Sequence, residues 1–110
     1  MASKYQQGRA FEWTVRNDLR EKGYDVGRTA GSKSLIDLFA VPKSPRKALL
    51  FIQVKLSEKM TAEKRIQFRD FCERAGATPI LATKVKDGRR VRILYELVVM
   101  DGTLVEWVVN

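Results

Sequence analysis

The feature of this sequence that most constrains the fold is an apolar run at residues 48–56, which only Gln53 and Lys55 interrupt. A short run of this kind, rich in β-branched and aromatic residues, is typical of a buried strand. Side chains alternate across a strand, so Gln53 and Lys55 share one face while Ile52 and Val54 share the other. Burying a lysine costs desolvation free energy unless an anion compensates its charge. The run therefore predicts a buried strand with a polar pair on one face.

The rest of the chain alternates between helical and extended patterns. Residues 6–22 have apolar residues at spacing four and predict a helix that ends at Lys22-Gly23. A second helix is predicted from Thr61 to Gly76. Further strands are predicted at residues 24–29, 35–41, 78–84, 91–100 and 104–109. The order is helix, three strands, helix, strand and a C-terminal β-hairpin, which indicates an α/β fold with a mixed sheet flanked by helices.

Composition limits the possible chemistry. The 110 residues predict a single domain over residues 1–110, large enough to bury a core. The absence of His excludes His-based triads and the common His-containing zinc sites. A single cysteine, Cys72, cannot form an internal disulfide, and no window approaches the roughly 18 apolar residues of a membrane span. We therefore expect a soluble intracellular protein with no membrane partner.

Positive charge is concentrated in the first part of the chain. Residues 1–92 carry all 21 Lys and Arg residues and 10 acids, whereas residues 93–110 carry only three acids. The whole chain has a formal charge of +8. This distribution favours a polyanionic partner such as nucleic acid. A basic protein without such a partner is the alternative that charge alone leaves open.

Two carboxylates can join the polar pair. Asp37 interrupts the strand at residues 35–41, and a turn with three positive charges at residues 42–47 joins this strand to the one with Lys55. Glu12 lies beside the apolar stripe of the first helix, so packing on the sheet could bring it to the same edge. Two carboxylates, an amide oxygen and a lysine suit Mg²⁺ or Mn²⁺. The alternatives are a structural Asp–Lys pair and an ordinary surface glutamate.

Several ordered motifs resemble a known family. They are Gly8-x-x-Phe11-Glu12, Gly23-Tyr24-x-Val26, Arg28-x-Ala30-Gly31-Ser32-Lys33, Ile36-Asp37-Leu38, Gln53-Val54-Lys55, and Gly76-x-x-Pro79-Ile80-Leu81-Ala82 with Lys84. Over about two-thirds of its length the chain resembles the archaeal-type and phage Holliday junction resolvases of the PD-(D/E)XK nuclease superfamily. The bare D…(E/Q)xK pattern occurs by chance, but the ordered set is more specific. The resemblance implies a restriction-endonuclease-like fold.

The resemblance also implies roles for individual residues. Glu12 and Asp37 correspond to metal-binding carboxylates, with Gln53 and the Val54 carbonyl as further ligands. Lys55 corresponds to the lysine that aligns or deprotonates the attacking water. Gln53 stands where the family usually has a glutamate, and its amide brings no charge, which lowers the expected affinity for the metal. Further matches to positions tied to substrate or activity are Arg28, Ser32 and Lys84, whereas Trp13 stands where archaeal members often have a basic residue.

The segment at residues 27–34 has a superficial likeness to a phosphate-binding P-loop. That motif requires Gly immediately before Lys33 and a helix afterwards, but Ser32 precedes the lysine and a strand is predicted to follow. We therefore expect no nucleotide cofactor. The segment is better suited to present Ser32 and Lys33 to a DNA phosphate, although a plain connection between strands is the alternative.

DNA contacts are expected from cations spread over the helix start, this loop and the basic turn. The predicted set is Lys4, Arg9, Arg28, Lys33, Lys43, Arg46, Lys47 and Lys84. Recognition of a four-way junction requires two active sites at fixed separation, which a symmetric homodimer supplies. Phe68, Phe71 and Trp107 are candidates for its interface, and packing inside one subunit is the alternative for these aromatics.

The predicted function is a Mg²⁺-dependent, structure-selective DNA endonuclease that resolves four-way junctions by paired symmetric nicks. Mn²⁺ should substitute for Mg²⁺. The expected location is the cytoplasm of a prokaryotic cell or of a phage-infected host. Two alternatives are a nuclease of the same fold that acts on other branched or flap DNA, and a noncatalytic DNA-binding module.

Overall fold

One mixed sheet with a helix on each face forms the framework of the protein. A computed structural model describes residues 3–29, 34–57 and 59–108. The elements are α1 (Lys4–Glu21), β1 (Tyr24–Arg28), β2 (Leu38–Pro42), β3 (Leu50–Lys55), α2 (Ala62–Ala75), β4 (Thr78–Asp87), β5 (Arg90–Val98) and β6 (Leu104–Glu106). The predicted α/β class and element order are confirmed. Neither described helix is long and apolar enough to cross a membrane.

The six strands lie in the sheet in the order in which they occur in the chain, β1 to β6. Four of the five neighbouring pairs are antiparallel, and β3 and β4 are parallel. A parallel pair needs a crossover connection, which α2 supplies between β3 and β4. The predicted hairpin with a basic tip is the β2–β3 connection. The predicted C-terminal hairpin is formed by β5 and β6.

The helix ends follow from capping. Helix α1 begins at Lys4, earlier than the predicted residue 6, because Ser3 and Gln6 form a capping box. The Ser3 hydroxyl accepts a hydrogen bond from the Gln6 N–H at 3.1 Å, and the Gln6 side chain accepts one from the Ser3 N–H at 3.0 Å. Helix α2 is capped by Thr61 and ends at Gly76, whose φ of 73° requires glycine.

Two separate hydrophobic clusters hold the helices on the sheet. On the α1 face the cluster includes Phe11, Val15, Leu19, Leu38, Leu50, Ile52 and Ile80. On the α2 face it includes Ile36, Phe68, Cys72, Leu81 and Val98. Phe68 is fully buried and packs inside the subunit, so its predicted place in a dimer interface is wrong and the alternative holds. Trp107 packs edge-on against Tyr95, with the ring centroids 6.4 Å apart.

Strand β2 is shorter than the sequence pattern predicts. It begins at Leu38, not at residue 35, and Ser34 to Asp37 form the approach to the strand. The Asp37 N–H still donates to the Ile52 carbonyl at 2.9 Å. The next donor on β3, the Val54 N–H, bonds to the Asp37 side chain and not to a backbone carbonyl. The reason lies in the carboxylate of Asp37, which belongs to the candidate site.

Candidate active site at the edge of the β2–β3 pair

The carboxylate of Asp37 takes the place of a backbone acceptor at the end of the β2–β3 pair. Its Oδ2 accepts a hydrogen bond from the Val54 N–H at 2.8 Å. The N–H and C=O of one residue in an antiparallel strand point toward the same neighbour, so the Val54 carbonyl is also directed to this edge. The strand therefore places a carboxylate and a backbone carbonyl side by side in the plane of the sheet.

Gln53 is the one buried polar residue of the described core, with 9% of its surface exposed. Its register partner is Leu81, which belongs to the cluster on the α2 face. The Gln53 Nε2 donates a hydrogen bond to the Leu35 carbonyl. That bond uses the nitrogen end of the amide and leaves the oxygen end as the only part of this side chain that could bind a cation.

Glu12 reaches the site from the opposite face through an ion pair. Its Oε1 accepts a hydrogen bond from the Arg28 Nε at 3.1 Å. The Glu12 side chain is 18% exposed, whereas that of Arg28 is 43% exposed, so the pair lies at the surface of the α1 face. Since Arg28 is the last residue of β1, this contact joins α1 to the edge of the sheet that carries Asp37.

The electrostatics of Asp37 link these groups. Burial raises the pKa of the Asp37 carboxyl above its ordinary value of 3.8, and this is the dominant effect. The hydrogen bond from Val54 and the positive charges of Lys55 and Arg28 each lower that pKa, in decreasing order. Arg28 therefore acts on both carboxylates of the predicted site, and the Lys55 ammonium acts on Asp37. Among the described residues, the ion pairs closer than 4.0 Å do not include Asp37 with Lys55, so the predicted pair is not in direct contact and acts through space.

Lys55 lies at the rim of a recess of about 490 Å³ on the α2 face. The recess is lined by Lys55 at the end of β3, by residues between β3 and α2, by Arg65 of α2, and by side chains of β4, β5 and β6. The Arg65 guanidinium closes one side of it, since it donates to the Gly102 carbonyl at 2.6 Å and the Met60 carbonyl at 2.5 Å. Lys55 also borders a second recess of about 340 Å³ against the start of α1. The ammonium is thus reachable from either side of the sheet edge.

The donor set fits a hard divalent cation. It consists of two carboxylates, one amide oxygen and one backbone carbonyl, which are ligands that Mg²⁺ and Mn²⁺ accept. Within the described ranges no three side chains of His, Cys, Asp or Glu come together as a metal-binding group. That result is consistent with the sequence, because Gln53 supplies an amide where a third acid would stand. A cation here would have two negative ligands, and the rest of its shell would be neutral oxygens.

The predicted DNA-binding cations occupy different surroundings. Lys4, Arg46 and Arg28 are exposed, and Lys84 is partly buried. Lys43 faces Asp25 at 3.9 Å. The Arg9 guanidinium donates to the Tyr5 hydroxyl at 3.2 Å. The structure thus places these cations along α1, β1, the basic turn and β4, and their contact with DNA remains a prediction.

Lys47 is tied into the fold by its own contacts. Its ammonium donates to the Lys22 carbonyl at 3.0 Å and lies 5.4 Å from the centroid of the Tyr24 ring. Ser32 and Lys33, which were predicted to face a phosphate, lie outside the described residues.

Thr29 is a positioning residue that the sequence patterns did not reveal. Its hydroxyl donates to the Ile36 carbonyl at 2.6 Å, and its N–H donates to the Asp37 carbonyl at 3.1 Å. These bonds join the end of β1 to the approach to β2 and so hold the Asp37 backbone. The signal lay within the Arg28-Thr29-Ala30 motif, but only the pairing of β1 with β2 shows what Thr29 holds.

The fold and this site together define the class. A mixed sheet between two helices, with Asp37 at a strand end beside Gln53-Val54-Lys55, is the arrangement of the PD-(D/E)XK nucleases that the sequence resembles. A family model described as archaeal Holliday junction resolvase (Hjc) matches residues 3–103. The chain belongs to this family, and its predicted membership is confirmed.

A solved structure agrees with this assignment. The Holliday junction resolvase Hjc of the archaeal hyperthermophile Archaeoglobus fulgidus is similar to this chain, with 23% sequence identity and a TM-score of 0.59. The likeness covers 83% of this chain and 70% of that chain. At this identity it shows the shared fold. No curated protein matches the chain significantly.

Proposed function

We propose that this protein resolves four-way DNA junctions by paired symmetric nicks in a reaction that requires Mg²⁺. The observation that carries the proposal is the position of the Asp37 carboxylate. The Val54 N–H holds it at 2.8 Å, and the charges of Lys55 and Arg28 act on it. Arg28 in turn pairs with Glu12. Two acids and an ammonium group therefore belong to one electrostatic unit at the sheet edge.

Each side chain has a distinct part in the proposed reaction. Glu12, Asp37, the Gln53 amide oxygen and the Val54 carbonyl would hold the cation. When bound, the divalent ion supplies Lewis-acid activation of the phosphodiester and of the attacking water. Lys55 orients that water for in-line attack, since its ammonium lies close enough for its charge to lower the pKa of Asp37. Release of Glu12 from Arg28 would free the guanidinium to contact a phosphate.

The proposal is tested with three DNA substrates. Purified protein is incubated with a synthetic four-way junction, a linear duplex and a flap, with Mg²⁺, with Mn²⁺ and with a chelator. We expect symmetric nicks in the junction alone, in either metal, and no cleavage in the chelator. Cutting of the flap would indicate another branched substrate. Binding without cleavage at any metal concentration would indicate a noncatalytic module and would overturn the proposal.

We infer that the functional unit is a homodimer, and the α2 face of the β1–β2 pair is the surface that we assign to the second copy. Helix α2 packs on β4 and β5 and leaves this half of the sheet uncovered. Two large apolar side chains are exposed there, Phe39 at 36% and Val41 at 45%, and Leu35, which precedes β2, is 40% exposed beside α2. The far edge of the Phe39 ring also lies against Gly27, where an added Cβ would come within 2.2 Å of the ring. The twofold symmetry of a four-way junction argues for a second copy as the occupant.

A charge placed on this surface tests the dimer. Val41→Glu should convert the protein to a monomer in sedimentation or light scattering, because the carboxylate would be buried without a partner. Val105→Glu is the matched control, since Val105 is 48% exposed on β6 at the opposite edge of the sheet. It should leave the mass unchanged. A parent protein that is monomeric with and without junction DNA would overturn this assignment.

The cytoplasm of a prokaryotic or phage-infected cell is the proposed location. Its support is the single cysteine, Cys72, which is free and fits a reducing compartment.

A further inference from the structure

The β4–β5 hairpin extends beyond the end of the strand that carries the candidate site. The parallel β3–β4 pairing ends where Lys55 meets Thr83. Strand β4 then continues to Asp87, and the chain returns in β5 from Arg90. At about 3.3 Å per residue, this extension projects roughly 13 Å past Lys55. The tip therefore stands at the end of the molecule where the site is open.

This extension, residues 84–92, carries a high density of positive charge; we call it the basic hairpin. It contains five cations and one acid: Lys84, Lys86, Arg89, Arg90, Arg92 and Asp87. All of these except Lys84 are exposed. Among the residues that the structure describes, none of the five cations forms an ion pair. Unpaired like charges at one tip repel each other, so the fold gains nothing from this arrangement.

The cations are distributed over both faces of the ribbon. Directly opposed residues of an antiparallel pair share a face, and side chains alternate along each strand. Lys86 is opposite Val91, whereas Arg92 is opposite Val85 and Arg90 is opposite Asp87. Lys86 and Arg90 therefore point to different faces, and Arg89 lies in the turn. A ribbon charged on both faces can meet phosphates on two sides at once.

We propose that the basic hairpin binds a duplex arm of the DNA substrate and lies in a groove with its cations against the phosphates of both strands. A two-stranded ribbon has the dimensions of the B-DNA major groove, and phosphate contacts of this kind position a protein without reading sequence. The inference rests on the proposed function, because it adds an arm contact next to the same site. It was not among the predicted DNA contacts, which stopped at Lys84.

The test compares two double variants that remove the same charge. Arg89→Gln/Arg90→Gln neutralises the tip, and Lys64→Gln/Arg74→Gln neutralises two exposed cations of α2. Junction binding is measured in a chelator from 50 to 200 mM salt, so that cleavage plays no part. Each lost phosphate contact lowers the log–log salt slope by about 0.9, so the tip variant should have a slope smaller by about 1.8. Its affinity deficit relative to the parent should then shrink about 12-fold across this range.

Arm length provides the second measurement. The roughly 13 Å reach corresponds to about four base pairs at 3.4 Å each. With junction arms cut below this length and closed by stable loops, the phosphates within reach of the tip are removed, so the tip variant and the parent should bind alike. An unchanged slope, an equal change in the α2 variant, or a deficit that persists on the shortest arms would overturn the proposal. If the parent protein does not cleave the junction in Mg²⁺, the proposed function is contradicted, but the binding comparison of the two variants still holds.

Discussion

The two halves of β3 belong to one strand but have opposite energetic characters. Leu50 and Ile52 are fully buried in the α1 cluster and stabilise the sheet by removing apolar surface from water. Gln53 and Lys55 occupy positions where apolar side chains would pack, and they bring an amide and a charge instead. The comparison shows that folding free energy comes from the first half, whereas the second half is costly to the fold and available for chemistry.

The largest expected effect is on cleavage, and it comes from substitutions at the second half of β3 and at Asp37 beside it. Asp37→Asn and Lys55→Ala should each reduce junction cleavage by about 10³-fold or more, since each removes a charge that the proposed transition state uses. Junction binding should change by less than about threefold. Single-turnover cleavage and binding in a chelator measure the two effects.

Lys59→Ala is the control for the lysine, because Lys59 is exposed and borders the same recess as Lys55. It should cleave nearly as fast as the parent. If Asp37→Asn and Lys55→Ala both cut at the parental rate, the assignment of the site to this half of β3 is wrong.

The next effect concerns stability. Ile52→Ala should lower the free energy of unfolding by about 2–5 kcal/mol, because it leaves a cavity where a fully buried side chain packs in the α1 cluster. Chemical denaturation measures this. Below its unfolding transition the variant should retain near-parental cleavage. A stable variant that cannot cut would contradict the division between the two halves.

A smaller effect tests the position at which Gln53 replaces the glutamate that is usual in the family. Gln53→Glu adds a negative ligand, so half-saturation by Mg²⁺ should occur at a concentration about three- to tenfold lower. The glutamate cannot donate to the Leu35 carbonyl, and stability should fall by about 1–3 kcal/mol. Metal titration of cleavage and thermal unfolding report the two changes separately. An unchanged metal requirement would argue against Gln53 as a ligand.

The smallest effect is a pH dependence of stability. The pKa of Asp37 is raised above its ordinary value of 3.8, so the folded protein binds this proton more tightly than the unfolded chain. Stability contributed by the protonated carboxyl is therefore present below pH 3.8 and is lost as the pH rises through the raised value. Asp37→Asn carries no charge at either pH and does not undergo that loss, so at pH 7 its Tm should exceed that of the parent. A Tm difference that does not vary between pH 3.5 and 7 would contradict the raised pKa.

Much of the fold was predictable because its signals are local. Thr61 and Gly76 delimit α2, and the apolar run at residues 48–56 contains β3. The start of β2 was not predictable. A run of apolar residues around Asp37 indicates a strand, yet the chain joins the ladder fully only at Leu38 because the carboxylate occupies the Val54 N–H.

The residues of the candidate site also fall into two groups, those that a local sequence pattern predicts and those that only the tertiary structure brings together. Alternation along β3 was enough to place Gln53 and Lys55 on one face, opposite the apolar Ile52. The ion pair of Glu12 with Arg28 could not be read from the sequence, since it joins a helix to the end of a strand. The basic hairpin was also missed, because only the pairing of β4 with β5 beyond the end of β3 makes it project past Lys55.

By itself the sequence determined which residue types are present, their order, the two helices and the alternation along each strand, since these depend on neighbours a few residues apart. It also excluded His-based catalysis, because the chain contains no His, and so left carboxylates, Lys, Ser or a bound metal as the possible catalytic groups. Tertiary structure alone decided which charges act on Asp37, which apolar side chains stay exposed and how far the hairpin extends. These properties depend on pairing between segments far apart in the chain, and no local pattern encodes such distances.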